Sequence, residues 1–418
     1  MNKTEYNMSS NNTPRLRFPG FTGEWEEKKF KDFTYPAGRK NKQNLPYERY
    51  SISNEMGFSP QSDQFDGNGG YLKDIDCRMY IIVSPHSFAY NPARINVGSI
   101  GYQNLDNDVI VSSLYEVFQT SDICNDQFLW HWFHTDVFHK KVLNAQEGGV
   151  RQYFYYDKLK ECTILLPSLV EQEKIASFLS ELDDLIAEQG KRVDALKEKK
   201  KGFMQQLFPQ PGETTPRLRF PGYTGEWKEQ KLNEVFSRIT RKNDENNQNV
   251  LTISAQYGLI SQLEFFKKSV AAADVTGYYL LYKGDFAYNK SSSQGKPVGA
   301  IKPLKLYDKG VVSTLYICFK CNDPREIDFW EQYFDAGILD REIMSIAQEG
   351  ARNHGLLNIP TSGFFELSVT APTLSEKQQI AGFLSELDKN IAAETEKLEA
   401  LKNHKKGLMQ QLFPQPTK

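Results

Sequence analysis

A chain whose two borders are each written a second time, with most of the sequence between them rewritten, must fold as a duplicated pair. Thr13–Trp25 reads TPRLRFPGFTGEW and Thr215–Trp227 reads TPRLRFPGYTGEW, so only Phe21 and Tyr223 differ. Gly202–Pro211 reads GFMQQLFPQP and Gly407–Pro416 reads GLMQQLFPQP. The copies lie about 200 residues apart, far beyond the roughly 20–50 residues of a solenoid repeat. Between the borders the copies agree only in short runs. Phe88-Ala89-Tyr90-Asn91 matches Phe286-Ala287-Tyr288-Asn289, and Val111-Ser112-Ser113-Leu114-Tyr115 matches Val312-Ser313-Thr314-Leu315-Tyr316. Ala145-Gln146-Glu147-Gly148 likewise matches Ala347-Gln348-Glu349-Gly350. A purely structural duplication drifts everywhere. Near-identical borders around different interiors suggest one scaffold presenting two different recognition surfaces.

The second part of each copy is a long helix. Ser168 precedes Glu171 by three positions and Thr373 precedes Glu376 by three, the spacing of a capping box that closes free N–H groups at a helix start. Phe208-Pro209 and Phe413-Pro414 predict the ends, because proline cannot continue a helix. Inside those limits apolar residues alternate at four and three. One helix gives Ile175, Leu179, Leu182, Ile186, Gln189, Val193, Leu196, Lys200, Phe203 and Leu207. The other gives Ile380, Leu384, Leu387, Ile391, Glu394, Leu398, Leu401, Lys405, Leu408 and Leu412. This is a coiled-coil seam, and its polar breaks fall at matching places, Gln189 with Glu394 and Lys200 with Lys405. Antiparallel pairing would bring Gln189 and Glu394 together. Each helix would run roughly 55–60 Å at 1.5 Å per residue. The competing reading has each helix packing only on its own globular domain.

The expected fold is α+β: two mixed α/β recognition domains in pseudo-twofold repeat, joined by two long helices in an antiparallel coiled coil. The expected segments are a disordered N-terminus (1–12), a first recognition domain (13–167) and a first spacer helix (168–208). A second recognition domain (209–372) and a second spacer helix (373–418) follow. Strands are expected at 162–166, 366–369, 80–83 and 315–319, amphipathic helices at 126–142 and 327–344, and a loop at Asp66–Gly70. A chain of 418 residues with 39% hydrophobic and 25% charged residues can bury a core in each domain. Five cysteines without framework spacing point to reduced thiols and the cytoplasm. The polar N-terminus is expected to be neither a signal peptide nor a membrane span, and no other stretch reaches the roughly 18 apolar residues of a transmembrane helix.

His131, His134 and His139 lie close together, but the second copy has no histidine there and nothing completes a ligand set, so an ordinary amphipathic helix is expected. Cys318 and Cys321 form a lone CxxC on an expected strand and read as structural. Asn91-Pro92-Ala93-Arg94 is partly similar to the Asn-Pro-Pro-aromatic motif of adenine methyltransferases, but lacks its second proline and its aromatic. There is no GxxxxGK[ST] phosphate loop and no GxSxG elbow.

Two variable domains, each followed by a near-identical helix, resemble the specificity subunits of type I restriction–modification systems. The Gly-Asp-Phe-Ala-Tyr-Asn-Lys run at 284–290 and the Leu-Pro-Ser…Glu-Gln-Glu-Lys-Ile-Ala lead at 166–176 resemble short stretches of that family. The resemblance implies a non-catalytic subunit in which each variable domain reads half of a split double-stranded DNA target. It implies that the helices set the gap and dock two methyltransferase subunits, with restriction/translocase subunits joining them. S-adenosylmethionine, ATP and magnesium then belong to the partners, and this chain holds no cofactor or metal.

DNA contacts call for Arg, Lys, Asn, Gln, Ser and Tyr on exposed loops. The first copy offers Arg39, Lys40 and Lys42, then Tyr90, Asn91 and Arg94, then Arg151 and Gln152. The second offers Arg241 and Lys242, then Tyr288, Asn289, Lys290, Ser292, Gln294 and Lys296, then Arg352, Asn353 and His354. The clusters correspond in place and differ in side chain. The competing reading of a loop charge is simple solvation, and of Tyr90 and Tyr288 a place in the core. Net charge is −2, so the basic groups must act locally or with partners. A rival class is a coiled-coil scaffold or adaptor without a DNA role.

Overall fold

The computed structural model describes residues 12–54, 57–61, 75–145, 153–210, 212–254, 258–266, 274–292, 296–352 and 356–414, with backbone alone at 348–352 and 356. The chain divides into two compact units. Unit one is residues 1–190 with 397–418, and unit two is residues 191–396. Each unit thus takes a piece of both long helices. The expected α+β duplication is what the chain adopts.

The helices run Leu169–Leu207 and Leu374–Leu412, 39 residues each, and stop at the phenylalanine before each proline. The nineteen seam positions other than Glu394 that alternate four and three are buried or half-buried, and so is Glu394. In unit one Ile175, Ala176 and Leu179 share a core with Met409, Leu412 and Phe413. Farther along, Asp183 pairs with Lys405, so the segments run antiparallel. In unit two Ile380, Ala381 and Leu384 share a core with Met204, Leu207 and Phe208. Lys200 there reaches Asp388 at 2.6 Å, and Arg192 reaches Glu394 at 3.4 Å.

The same side chains explain why the C-terminal borders repeat. Phe413, ending the second helix, packs on Phe128 of unit one at 5.3 Å between ring centroids. Phe208, ending the first helix, packs on Phe329 of unit two at 5.8 Å. Each border therefore completes the core of the unit in the other half of the sequence. A fully buried phenylalanine typically contributes about 1.5–3 kcal/mol through apolar burial.

The N-terminal borders build the helix starts. Arg17 forms a forked pair with Glu171, both N···O distances 2.7 Å, and donates to the Gly23 carbonyl at 2.6 Å. Arg219 does the same to Glu376 at 2.7 and 2.8 Å, and donates to the Gly225 carbonyl at 2.5 Å. The capping boxes are thereby corrected in one arm. Ser168 Oγ accepts from the Glu171 N–H at 3.4 Å, but the Glu171 carboxylate turns to Arg17. Trp25 and Trp227, which close these borders, are buried. The strand after each, Glu26–Lys29 or Lys228–Lys231, pairs antiparallel with the strand entering the helix, Thr163–Leu166 or Ser368–Ala371.

Within unit one a four-stranded sheet has the order Thr34–Pro36, Glu116–Thr120, Ser87–Tyr90, Ile100–Gln103. Beside it a three-stranded sheet has the order Arg39–Lys40, Ile81–Val83, Val109–Val111. The chain crosses between the sheets at Ala37-Gly38. A Cβ on Gly38 would lie 2.6 Å from Ile81 Cγ2, so the crossing is open only to glycine. Unit two repeats the plan. Phe236–Arg238, Ile317–Cys321, Phe286–Asn289 and Ala300–Pro303 form one sheet, and Tyr279–Tyr282 pairs with Lys309–Val312 in another.

Several sequence expectations shift. The helices expected at 126–142 and 327–344 are each broken in two, Asp126–Phe133 with Asp136–Ala145 and Ile327–Asp335 with Asp340–Ile346. Thr135 makes the first break by donating to the Trp132 carbonyl and accepting from the Phe138 N–H. Gly337, at φ +72°, accompanies the second. The strand expected at 315–319 begins at Ile317, because Ser313–Tyr316 is a tight turn. The strand expected at 366–369 runs Ser368–Ala371, because Thr361–Phe365 is a short helix. The expectations for residues 1–11 and for Asp66–Gly70 lie outside the described residues.

Candidate nucleic-acid interface

Strand register brings the polar clusters of each copy to one end of its sheets. In unit one Lys40 lies opposite Ile81 and Ile81 opposite Val111, the last residue before the Ser112–Tyr115 turn. On the far side of that turn Glu116 lies opposite Tyr90, the last residue before Asn91–Arg94. The Lys40–Lys42 loop, the turn and the Asn91–Arg94 loop therefore leave the sheets at the same end. In unit two Lys242 bridges Tyr279, Tyr279 pairs with Val312, and past the Ser313–Tyr316 turn Ile317 pairs with Tyr288. The arrangement is the same. The second loop is tied by backbone hydrogen bonds to later segments of its unit. The Phe154 N–H donates to the Pro92 carbonyl at 3.0 Å, and the Leu357 N–H to the Lys290 carbonyl at 3.0 Å.

The individual side chains divide by role. Lys40, Lys42 and Arg94 are exposed. Arg39 is exposed and held by Asp108 at 2.9 Å. Arg241 is more firmly held: it reaches Asp285 at 2.6 Å, donates to the Leu280 carbonyl at 3.1 Å and lies 4.1 Å from the Tyr282 ring centroid. Burial raises the Asp285 pKa, opposed by the Tyr282 N–H and by Arg241. Asp285 belongs to the Gly-Asp-Phe-Ala-Tyr-Asn-Lys run and serves there as an anchor for Arg241. Lys242 lies over the Tyr279 ring at 4.5 Å. Asn41 and Asn243, one residue beyond each lysine, are buried and shape their loops by accepting from the Leu45 and Asn247 N–H groups.

Asn91 and Asn289 are half-buried and form matching turns, accepting from the Ala93 and Ser291 N–H groups at 3.0 and 3.1 Å. Lys290 is half-buried, and desolvation lowers its pKa. Ser292 is exposed. Lys296 turns back into unit two, donating to the Asp335 carbonyl at 3.2 Å. Gly299 closes this loop at φ +86°, and a Cβ there would stand 2.0 Å from the Asn289 carbonyl oxygen. Tyr90 and Tyr288 are corrected to core residues. Both are fully buried, Tyr288 donates to the Val298 carbonyl at 2.6 Å and stacks on Phe364, and Tyr90 meets Phe118 edge-on. Their strands are covered on both faces, which removes the alternation that would have marked an inward ring. Arg151, Gln152, Gln294, Asn353 and His354 lie outside the described residues, and Arg352 is described by its backbone, in the Gln348–Arg352 strand.

The histidines and cysteines have structural places. His131 is buried, shares a hydrogen bond with Ser180 at 3.1 Å and lies 3.8 Å from Asp183. Gln332, its counterpart in unit two, donates to Asp388 at 2.8 Å. Each recognition domain thus meets the long helices at a three-part joint: a lysine from one helix, an aspartate from the other, and a polar residue of the domain. Cys318 and Cys321 enter different cores of unit two, three residues apart on one strand. Burial pushes the Cys321 thiol up to about 11.

The joint carries a pH signature in unit one alone. Burial, then the nearby Lys405 and His134, lower His131 from 6.5 to about 3. His131 is therefore neutral in the folded unit, whereas the unfolded chain takes up a proton below about pH 6.5. Unit one should lose stability as pH falls from about 6.5 to about 3, by up to about tenfold in folded ratio per pH unit, and level off below. His131→Gln, copying unit two, should flatten that slope in denaturant unfolding across pH. An unchanged slope would assign the loss to other groups.

Residues 23–198 match the family model described as the type I restriction modification DNA specificity domain. A stretch of 101 residues is 32% identical to the type I restriction enzyme MjaVIII specificity subunit of Methanocaldococcus jannaschii. That stretch is 24% of this chain and spans 23% of the curated relative. Among solved structures, the type I restriction–modification S subunit from M. genitalium has a TM-score of 0.57 at 14% identity, covering 97% of this chain and 100% of that one. A chain from a study of complex assembly and conformational transition in the type I restriction–modification system has a TM-score of 0.55 at 16% identity, covering 96% and 99%. Residues 23–198 are thus similar to a type I restriction–modification DNA specificity domain, and the chain, which builds that plan twice, shares its fold with the solved S subunit.

Proposed function

We propose that this chain is the DNA-sequence-specificity subunit of a type I restriction–modification complex. Each unit reads one half of a two-part duplex target through its three clusters. The antiparallel helices set the distance between the halves and offer the surface on which two methyltransferase subunits dock. Restriction and translocation subunits join that assembly in the cytoplasm. S-adenosylmethionine, ATP and magnesium are held by those partners, and this chain contributes recognition without catalysis.

One observation carries the reading. Two units with the same frame bring their first two clusters to the same end of their sheets, the second on different side chains. Lys40 and Lys242, exposed and identical between the copies, suit the sequence-independent phosphate backbone. Asn91 and Arg94 against Asn289, Lys290 and Ser292 differ, as residues reading different bases must.

Methylation mapping of the host genome, with and without this gene, tests the proposal. A two-part adenine mark should be present with the gene and vanish on its deletion. An unchanged methylation map would favour the adaptor reading.

A further inference from the structure

The Ser112–Tyr115 and Ser313–Tyr316 turns are retained where the surrounding interiors have diverged. In each, the tyrosine N–H donates to the serine carbonyl, at 3.2 Å in unit one and 3.1 Å in unit two. In each, the leucine N–H faces the serine Oγ, at 3.4 and 3.3 Å. The tyrosines are packed against cores of their units, and the Tyr115 hydroxyl also accepts from the Ile52 N–H. These bonds hold the leucine outward: Leu114 is 70% exposed and Leu315 58%. A single exposed leucine needs no explanation. The same leucine, on the same turn, held out in two otherwise different readers, does.

We propose that Leu114 and Leu315 are apolar wedges that press on the base stack of the DNA. This rests on the proposed function above. Each turn lies between the Lys40 or Lys242 strand end and the Asn91–Arg94 or Asn289–Ser292 loop, so a duplex held by those cations meets the leucine. The carboxylate beside the first turn, Glu116, has its pKa raised by burial, and the second copy has Ile317 in its place. A side chain shared by two readers of different sequence must act on what all sequences share. Apolar side chains act in that way when they enter between base steps and unstack them. A stack opened in this way also suits enzymes that must extrude a base to reach it.

The test uses the complex isolated from its host by a tag on this chain, with Leu114→Ala, Leu315→Ala, the double variant, and Leu→Met at both positions. The DNA is the duplex identified by methylation mapping, with 2-aminopurine placed at each adenine in turn. Wild type should raise 2-aminopurine fluorescence at a step in each half-site, and each alanine variant should abolish the rise in its own half. Affinity should fall roughly tenfold per leucine, with methionine restoring most of it. The slope of log affinity against log salt should stay unchanged, because no cation is removed, whereas Lys40→Ala should reduce it by about one. Unchanged affinity and fluorescence in the double alanine variant would overturn the wedge. Loss of co-purifying subunits with DNA binding intact would overturn it too, assigning the leucines to a protein contact. Wild-type complex that binds no duplex would overturn the proposed function itself.

Discussion

Arg17→Ala should destabilise unit one by about 3–5 kcal/mol, the usual result of stripping the partner from a buried carboxylate. Glu171 is 1% exposed, and Arg17 meets both of its oxygens. Without the guanidinium the buried carboxylate loses the partner that meets both of its oxygens. Arg219→Ala should do the same to unit two through Glu376, also 1% exposed. Denaturant unfolding should resolve which unit melts early, and each single variant should shift only its own transition. Replacing both partners, Arg17→Met with Glu171→Leu, should recover much of the loss, because a matched apolar pair avoids the desolvation cost. A shift below about 0.5 kcal/mol for Arg17→Ala, the range of ordinary surface changes, would show that the pair holds nothing together.

Seven residues added to both long helices, after Gly190 and after Glu396, should move the methylated sites to a spacing about three base pairs longer. A heptad adds about 10.5 Å and returns the seam to the same face, and a DNA turn of 34–36 Å holds about ten base pairs. The insertion points are the limits of the two units, so the Lys405–Asp183 and Lys200–Asp388 pairs remain within theirs. The half-site sequences should not change, because no reading loop is altered. Adding the heptad to one helix only should lose methylation, because the seams no longer match in length. Methylation mapping reads both results. Continued methylation at the original spacing by the doubly lengthened chain would remove the helices from any role in setting distance.

The helices were legible because coiled-coil spacing is local: apolar residues at four and three, a capped start and a proline stop. Lys200 and Lys405 stood out as polar breaks, but their partners did not. Asp183 and Asp388 sit one position past a seam leucine, and only antiparallel pairing shows which lysine each will meet. Likewise Glu171 looked like half of a capping box, because nothing local marks a bond to a residue 154 positions away. The polar clusters stand out by composition, and strand register was needed to show that the first two leave the sheets at one end. Tyr90 and Tyr288 were misplaced because Phe-Ala-Tyr-Asn, covered on both faces, has no periodicity to separate core from surface. Leu114 and Leu315 were visible as a repeat but said nothing until their exposure was known.

The forked arginine at each helix start carries an evolutionary consequence. Arg17 and Arg219 lie in border sequence, and their partners Glu171 and Glu376 stand at matching places in the two helix starts. Genetic exchange can therefore replace one interior as a cassette while the fastenings pass unaltered to the new chain. An incoming interior has to supply an aromatic where Phe128 or Phe329 meets the border phenylalanine, and a polar group where His131 or Gln332 meets its aspartate. Those two conditions are few enough for a lineage to acquire new target sequences by recombination at the borders, without refining a fold each time.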